Sequence, residues 1–435
     1  MEQYPRLLII CHNLYDDTNN IGKTLVSLLN GWPIEKLAQI NFKNDIPSFI
    51  RCKKYYSITD KDVALSVMTF GIHKVGKKLL KANQILVSDT EKNLYRFGNK
   101  RIPLVSFIRD TMWGLGTWKN KELKKWVEQY DPEAILFVPN DYVLAYRVAL
   151  FIEKRIKRVP LIPYYMDDSF YYDCETSGID YVRRLQLRKK AKQVHSYALS
   201  IFTICNKMSR RYERQFGIPC TDYMNSIKPG DFSVKNVDDK NIIFSYIGNL
   251  HSNRWRCLVE IGKALEKVSK KTKSNIEFRI YSASNIGTYE ISVLKAVSCI
   301  RLMGSVLPSE VQKKQREADI LVHVEAFDKR SKNSTMYSLS TKIPEYMNAG
   351  VSIFAYGPSD IASIEYLKEN DIAFVCDKKE KLEDILYSAI VNKNQREKYI
   401  QQGILLAREK HNIEKASKRF INSIISCWKM GVGDE

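Results

Sequence analysis

The sequence lacks the cysteine and histidine patterns of several common protein classes. Its nine cysteines are scattered, at positions 11, 52, 174, 205, 220, 257, 299, 376 and 427, and they form no CxxC pair. Its six histidines include no HExxH motif. These absences exclude a disulfide framework and the common zinc motifs, and they indicate reduced thiols in a cytoplasm.

Long apolar runs are also absent, and none reaches the length that a transmembrane helix requires. The first ten residues, MEQYPRLLII, lack the basic start and the cleavage site of a secretory signal. We therefore expect a cytoplasmic protein, for which the inner face of the membrane is a candidate location through a peripheral contact.

The composition is that of a globular protein with an excess of basic residues. The chain has 435 residues, 44% hydrophobic and 27% charged, which suits two domains that each bury a core. The net charge is +20, and basic residues concentrate among apolar ones in 73–81, 151–159 and 181–193. Such segments suit a solvated helix surface, a contact with anionic lipid or a nucleic-acid footprint, and their few aromatic residues speak against the last.

Short apolar runs alternate with longer amphipathic segments, which predicts parallel sheets covered by helices on both faces. In the first half the predicted strands are 6–11, 85–88, 104–108, 134–138, 161–166 and 201–205, and the predicted helices include 22–30, 122–130 and 181–199. In the second half the predicted strands are 241–248, 276–281, 299–302, 319–324, 351–357 and 372–376. The helices between them are 256–269, 308–317, 343–349 and 360–368, and a helical tail covers 380–429. The fold class is therefore α/β, with two Rossmann-like doubly wound domains that face a cleft, and a C-terminal helical tail.

A segment with two prolines, a glycine and mixed charge separates the two series of strands. We place the N-terminal domain at 1–222, the linker at 223–240 and the C-terminal domain at 241–408. The last segment, 409–435, is expected to be a helix that packs back on the N-terminal domain. Ligands bind at the carboxyl ends of the strands in such sheets, so we expect the site in the cleft.

Gly22, Lys23 and Thr24 follow the first predicted strand and a polar loop, as in the phosphate loop of an NTPase. That loop needs a glycine five residues before the Gly-Lys pair, where this chain has Asp17 beside Asp16. Two carboxylates would repel a polyphosphate. The segment therefore predicts a βα unit whose loop holds another ligand or faces solvent.

A glycine and an arginine mark the first candidate anion site. Gly248 ends a predicted strand, where the missing side chain lets a ligand approach the backbone. Arg254 follows six residues later and provides a cation suited to a diphosphate. On its own this pattern is common in loops.

A second candidate anion site lies at the start of a predicted helix. Ser340, Thr341 and Lys342 come just before or at its first turn, which also contains Pro344. The free N–H groups of that turn and the helix dipole attract an anion. Glu345 lies four residues after Thr341, a spacing that does not fit a capping box, so it is available to accept bonds from two ribose hydroxyls. An anion site beside such a carboxylate indicates a nucleoside diphosphate.

These segments resemble the donor-binding domain of GT-B glycosyltransferases, particularly the large retaining family usually numbered four. GNLHSNR (248–254) resembles the family's pyrophosphate loop, and EADILVHVE (317–325) resembles its pattern before the variable loop. EYMNAG (345–350) resembles the helix that carries its ribose-binding glutamate. The resemblance spans most of 241–377 and implies a transferase that uses a nucleotide sugar.

The resemblance and the reasoning above assign donor binding to Gly248, Asn249, Arg254, Gly304, Ser340, Thr341, Lys342 and Glu345. Gly304 matches the glycine before the loop that covers the base. The chain departs from the family at two positions: Tyr337 stands where the first of two glutamates is usual, and Asn249 stands where an arginine often follows the glycine. On the acceptor side, the resemblance implies that Asn19, Asn20 and Gly22 contact acceptor or donor phosphate.

The implied chemistry is transfer of a hexose-like sugar from a nucleotide diphosphate sugar, UDP-linked in our expectation. The family leans to retention, and no metal or cofactor is expected, because Arg254 and Lys342 would stabilise the leaving diphosphate. Asp167 and Asp168 follow a predicted strand and are candidates to hold a sugar hydroxyl or take a proton. An aspartate pair that caps the next turn is the structural alternative.

The expected partners are the nucleotide sugar, a glycan or polyprenol-linked acceptor, and an anionic membrane surface reached through basic helices of the N-terminal domain. No nucleic acid is expected. The expected process is bacterial surface polysaccharide synthesis. Two alternatives stay open: a nucleotide-sugar epimerase of the same architecture, and a non-enzymatic basic binding protein.

Overall fold

The computed structural model describes residues 3–17, 19–80, 103–171, 178–230 and 240–432. The chain divides into two compact units: unit 1 comprises 1–225 with 416–435, and unit 2 comprises 226–415. Each unit contains one mainly parallel sheet, so the predicted α/β class is confirmed. The predicted strand 85–88 and the part of the predicted linker at 231–239 lie outside the described residues.

Unit 1 contains an eight-stranded sheet. Its strands are β1 Leu7–Ile10, β2 Leu37–Asn41, β3 Lys54–Ser57, β4 Lys77–Leu79, β5 Ala134–Phe137, β6 Leu161–Tyr165, β7 Ile201–Thr203 and β8 Cys220–Asp222. Its helices are α1 Asn20–Leu28, α2 Asp60–Met68, α3 Pro103–Leu115, α4 Lys121–Tyr130, α5 Val143–Arg155, α6 Gly178–His195 and α7 Asn206–Phe216. The order is β4-β3-β2-β1-β5-β6-β7-β8, and only the β3–β4 pair is antiparallel. The fully buried β1 near its centre carries the loop that leads to α1.

The prediction of a strand at 104–108 is wrong, because these residues lie in α3. In the sequence, the apolar run is followed by Arg109 and Asp110, two charged residues of the kind that often follow a strand at the protein surface. In the structure Asp110 is buried, and Arg109 pairs with Asp60 at 2.7 Å between Nη2 and Oδ2. Asp110 and the buried Trp113 are three residues apart, which is helical spacing.

The strands β2, β3 and β4 have no counterpart in the sequence-based prediction. β2 is fully buried, yet it contains Gln39 and Asn41, which interrupt the apolar pattern. Gln39 is satisfied by the loop after β1: its Oε1 accepts from the Tyr15 N–H at 2.9 Å, and its Nε2 donates to the Asn13 carbonyl at 2.7 Å. The polar residues of this strand therefore hold the first βα loop in place.

Unit 2 contains a six-stranded parallel sheet. Its strands are β9 Asn241–Ile247, β10 Asn275–Tyr281, β11 Ile300–Gly304, β12 Ile320–Val324, β13 Ser352–Tyr356 and β14 Phe374–Cys376. Its helices are α8 Arg254–Thr272, α9 Thr288–Lys295, α10 Val311–Glu317, α11 Lys329–Thr335, α12 Lys342–Asn348, α13 Ala362–Glu369, α14 Leu382–Val391 and α15 Lys393–Lys410. The order β11-β10-β9-β12-β13-β14 changes direction between β9 and β12. Loops at the carboxyl ends of these two strands therefore lie at the switch point, where ligands bind in such sheets.

The last helix, α16 Ile413–Val432, has most of its length in unit 1. Its buried Phe420 packs on Tyr164, Phe202 and Tyr223, with ring centroids 5.5, 5.4 and 4.9 Å apart. The Tyr223 hydroxyl also donates to Ser423 Oγ at 2.5 Å. Like the other helices of the described ranges, α16 does not combine the length and apolarity needed to cross a membrane.

Candidate functional site

The loop after β9 lies against a lysine from α12. The Gly248 N–H donates to the Tyr281 carbonyl at 2.9 Å, which holds the loop on the end of β10. A Cβ at Gly248 would lie 1.9 Å from Lys342 Nζ and 2.9 Å from the Tyr246 hydroxyl. Glycine thus leaves room for the ammonium group beside the backbone, and any other residue would displace it. The sequence predicted a ligand at this close approach, and the structure places Lys342 there.

Arg254, the first residue of α8, forms a two-pronged ion pair with Glu325 at the end of β12. Its Nη2 lies 3.1 and 2.9 Å from the two carboxylate oxygens, and its Nη1 donates to Asn249 Oδ1 at 2.9 Å. The side chain of Arg254 is 18% exposed and that of Glu325 is 5% exposed. Burial raises the pKa of Glu325, and Arg254 opposes this rise. Burial works against the charge of Arg254 too, yet Glu325 keeps the pKa of Arg254 raised.

Lys342 is the second cation of this cluster. Burial and the charge of Arg254 lower its pKa, Glu325 and Glu345 oppose the shift, and the resulting pKa is about 8. Its Nζ lies 5.1 Å from the ring centroid of Tyr246. Arg254 and Lys342 thus lie close enough to repel each other, with the buried Glu325 and the half-buried Glu345 nearby, and a further anion would reduce that repulsion.

The start of α12 brings together the residues predicted for the second anion site. The Lys342 N–H donates to Ser340 Oγ at 3.4 Å, and the Ile343 N–H donates to the Ser340 carbonyl at 3.1 Å. Thr341 immediately precedes the helix, which has only seven residues. Glu345 is half-buried, and its Oε2 accepts from Gln315 Nε2 at 3.3 Å. Ser340, Thr341, Lys342 and Glu345 therefore belong to one short segment beside the Arg254–Glu325 pair.

A cavity of about 420 Å³ opens next to Gly248, at the carboxyl ends of β9 and β10. Its lining includes Asn249, His251, the segment 281–285 and Val306. Gly304 is not among the lining residues, but its carbonyl accepts from the Ser282 N–H at 2.7 Å and so holds that segment. Its φ of 75° is left-handed, which explains the glycine.

Glu325 is a site residue that the sequence-based reasoning missed, and His323 lies beside it. His323 is buried in β12, 3.7 Å from Glu325 between Nε2 and Oε1, and burial lowers its pKa to about 3, with Lys342 and Arg254 contributing. It is therefore neutral at physiological pH and leaves Glu325 as the counterion of the cluster. A carboxylate directly after a buried strand, near the switch point of the sheet, is the signal that could have found Glu325.

The candidate catalytic aspartates lie in unit 1, after β6. Asp168 Oδ1 accepts from the Phe170 N–H at 3.1 Å, the Tyr171 N–H at 2.9 Å and the Tyr212 hydroxyl at 2.9 Å. Burial raises its pKa, and these hydrogen bonds oppose the rise. Asp167 is exposed. Asp168 thus caps the turn after β6, as the structural alternative expects, and a catalytic role for either residue stays a prediction.

The predicted acceptor loop is held together from within. Asn19 caps α1: its Oδ1 accepts from the Gly22 N–H at 2.7 Å, and its Nδ2 donates to the Leu14 carbonyl at 3.2 Å. A Cβ at Gly22 would lie 2.2 Å from the Asp16 carbonyl oxygen, so the glycine permits this packing. Asn20 is exposed at the first position of the helix. Contact of these residues with an acceptor stays a prediction.

Metal-ligating side chains do not cluster in the part of the chain that the structure describes. There, no group of three or more histidine, cysteine, aspartate or glutamate side chains is placed to hold a metal ion. Within the same part of the chain, the positive charge of Arg254 and Lys342 is what the site offers to an anion.

Comparisons with known proteins identify the fold. No protein-family model and no curated protein sequence matches the chain. HepE from Anabaena, solved in complex with UDP, is 10% identical with a TM-score of 0.62, over 97% of this chain and 99% of that one. Sucrose-phosphate synthase from Thermosynechococcus elongatus is also 10% identical with a TM-score of 0.62, over 98% and 99%. WaaG, a glycosyltransferase involved in lipopolysaccharide biosynthesis, is 9% identical with a TM-score of 0.57, over 95% and 98%. At these identities the likeness shows the fold alone, and that fold is GT-B: two Rossmann-like units on parallel sheets, with a C-terminal helix.

Proposed function

We propose that this protein is a glycosyltransferase that transfers a sugar from a UDP-sugar to a glycan or lipid-linked acceptor in bacterial surface polysaccharide synthesis. The observation that carries the proposal is the cluster in which Arg254 and Lys342 share the buried Glu325 beside the cavity at Gly248. Two cations held close together suit a diphosphate, and the cavity has room for a nucleoside. Structures of HepE with UDP and with UDP-glucose, and the role of WaaG, support the choice of donor and process.

In the proposed mechanism, charge grows on the diphosphate as the glycosidic bond breaks. Arg254 and Lys342 stabilise that charge, and Asn249 and the Ser340–Thr341 segment offer N–H or hydroxyl donors. Gly248, whose N–H is bonded to the Tyr281 carbonyl, leaves room for the Lys342 ammonium group. The reaction needs no metal or cofactor in this scheme, because fixed cations replace one. Retention follows the family that the sequence resembles, and Asp167 or Asp168 would orient a sugar hydroxyl or accept the acceptor's proton.

Glu345 is proposed to accept hydrogen bonds from the 2′ and 3′ hydroxyls of the ribose. Its carboxylate is half-buried on the same segment as Lys342, and the bond from Gln315 uses one oxygen, which leaves acceptor positions on the other. Gly304 would complete the nucleotide site indirectly, by holding segment 281–285 against the base.

We also propose a cytoplasmic location with peripheral contact to an anionic membrane surface. Exposed basic residues on α5 and α6, namely Lys154, Arg155, Lys189 and Lys192, support this partner. The epimerase and the non-enzymatic binding protein gain no support from the compared structures.

Calorimetric titration with UDP, GDP and ADP, each with and without EDTA, tests the proposed function. We expect micromolar binding of UDP, weaker binding of the other two nucleotides, and no effect of EDTA. Binding that EDTA abolishes would refute the metal-independent scheme. No binding of any nucleotide would refute the transferase proposal itself.

Arg254→Met should cost both stability and affinity. Glu325 would keep its buried charge without its partner, and we expect a loss of about 3 kcal/mol in the free energy of unfolding. The lost diphosphate contact should weaken UDP binding by about tenfold or more. Chemical denaturation and calorimetry measure the two effects.

The double variant Arg254→Met/Glu325→Leu separates the two roles of Arg254. It removes both charges, so we expect most of the stability to return while the affinity stays low. If the double variant binds UDP as the wild type does, Arg254 does not contact the diphosphate.

Glu345→Ala should weaken UDP binding by roughly 1.5–3 kcal/mol, the range for hydrogen bonds to a charged group. The analogue 2′,3′-dideoxy-UDP is the matched control, because it lacks the hydroxyls that Glu345 is proposed to bind. The variant should lose the wild type's preference for UDP over the analogue. An equal loss for both ligands would show that Glu345 acts on the fold of α12 and not on the ribose.

A further inference from the structure

The turn between α2 and β4 exposes large apolar side chains. Phe70 is 98% exposed, Ile72 is 86% exposed and Met68, at the end of α2, is 74% exposed. Phe70 has a φ of 50°, a left-handed conformation that is unfavourable for an aromatic residue. The turn is well defined nevertheless, since the Gly71 N–H donates to the Ser66 carbonyl at 2.7 Å and the Ile72 N–H to the Thr69 carbonyl at 3.1 Å.

A second turn, after α3, lies beside the first. A Cβ at Gly71 would lie 3.1 Å from Thr117 Cγ2, and Ser66 Oγ lies 2.6 Å from Thr117 Oγ1. Leu115, two residues before Thr117, is 69% exposed. We call Met68, Phe70, Ile72 and Leu115 the apolar tip. Its members come from two turns of unit 1 that these contacts hold side by side.

Basic residues accompany the apolar tip. Residues 63–80 contain no aspartate or glutamate but include Lys74, Lys77 and Lys78, all exposed. Two further exposed lysines, 119 and 121, follow the second turn. Two acidic side chains contact this segment: Glu122 Oε1 lies 3.4 Å from Lys74 Nζ, and Asp62 Oδ1 lies 3.2 Å from His73 Nε2. The tip is therefore bordered mainly by positive charge.

We propose that the apolar tip inserts into the headgroup region of an anionic lipid bilayer, with the surrounding lysines on the lipid phosphates. Phe70 is almost fully exposed, so within the described residues it projects from the surface and does not line a groove that a folded partner could fill. Four side chains are too few for a stable protein interface, whereas a fluid layer accommodates single projecting side chains. Positive charge beside them complements anionic headgroups. This surface differs from α5 and α6 and does not depend on the proposed enzymatic function.

Vesicle co-sedimentation tests the tip with the full chain. The vesicles are pure phosphatidylcholine, or phosphatidylcholine with phosphatidylglycerol, over a salt series. The test variant is Phe70→Asn/Ile72→Asn, in which asparagine tolerates the left-handed φ at position 70. Leu405→Gln is the matched control, because Leu405 is 64% exposed on α15 in unit 2.

We expect the wild type and Leu405→Gln to bind the anionic vesicles equally, and the Phe70→Asn/Ile72→Asn variant to bind at least tenfold more weakly. Lys74→Gln, Lys77→Gln and Lys78→Gln should each weaken binding by about fivefold at low salt. A wild type that ignores anionic vesicles, or a test variant that binds them as well as the wild type, would overturn the proposal. So would a test variant that changes only the oligomeric state in analytical ultracentrifugation, since the tip would then contact a second copy.

Phe70→Trp provides a readout of insertion that a loss of folding cannot imitate. Its difference spectrum from the wild type should shift to shorter wavelength when anionic vesicles are added, because the new indole leaves water. A spectrum that vesicles leave unchanged would contradict insertion at this position.

Discussion

A buried carboxylate at the end of β12 organises the candidate site of unit 2. Removing Glu325 from water is costly unless cations and hydrogen bonds compensate for it. Arg254 meets this requirement with two bonds from the start of α8, and Lys342 adds its charge from α12. These contacts hold three loops close together around Glu325: the loops after β9, after β12 and before α12. The same arrangement holds two cations, Arg254 and Lys342, close together, which is the property that a diphosphate site needs.

The close packing of these charges also explains Gly248 and the state of Lys342. The ammonium group of Lys342 lies where a Cβ at position 248 would be, and this close packing partly removes the ammonium group from water. Because burial and Arg254 lower the pKa of Lys342 to about 8, a minor fraction of this lysine is uncharged at neutral pH. An incoming anion would restore the full charge. The repulsion between Arg254 and Lys342 thus prepares the site for an anion, whose charge would offset it.

The sequence predicted the parts of the fold in which the apolar pattern is uninterrupted. β9 and β10, with buried aromatic and branched residues, lie close to their predicted positions, whereas β2 was missed because Gln39 and Asn41 are buried polar residues. The run at 104–108 looked like a strand because the charges after it, on the partly buried Arg109 and the buried Asp110, concealed the helix.

At the site, the sequence singled out residues with a recognisable type and place, but it could not predict pairs. Gly248, Arg254 and Lys342 were each proposed as ligand-binding residues, and the structure joins them around Glu325, which no local pattern marked as their partner. Long-range pairs of this kind depend on the sheet order. Long-range pairing also changes the basic segment 181–193. Its Arg183 and Arg184 are buried against Asp180 and Asp141, so the segment exposes less positive charge than its sequence suggests.

Proton uptake on binding is the most direct measurement of the central claim, that the cluster at Glu325 receives a diphosphate. UDP-glucose is the suitable ligand, since its diphosphate has no ionisation near the pKa of Lys342. Calorimetry at pH 8 in two buffers of different ionisation enthalpy gives the number of protons taken up. A nearby anion raises the pKa of a lysine, so the account predicts uptake of up to about half a proton per site at pH 8 and almost none at pH 6.5. Binding at pH 8 without uptake, or with proton release, would show that the diphosphate does not reach Lys342.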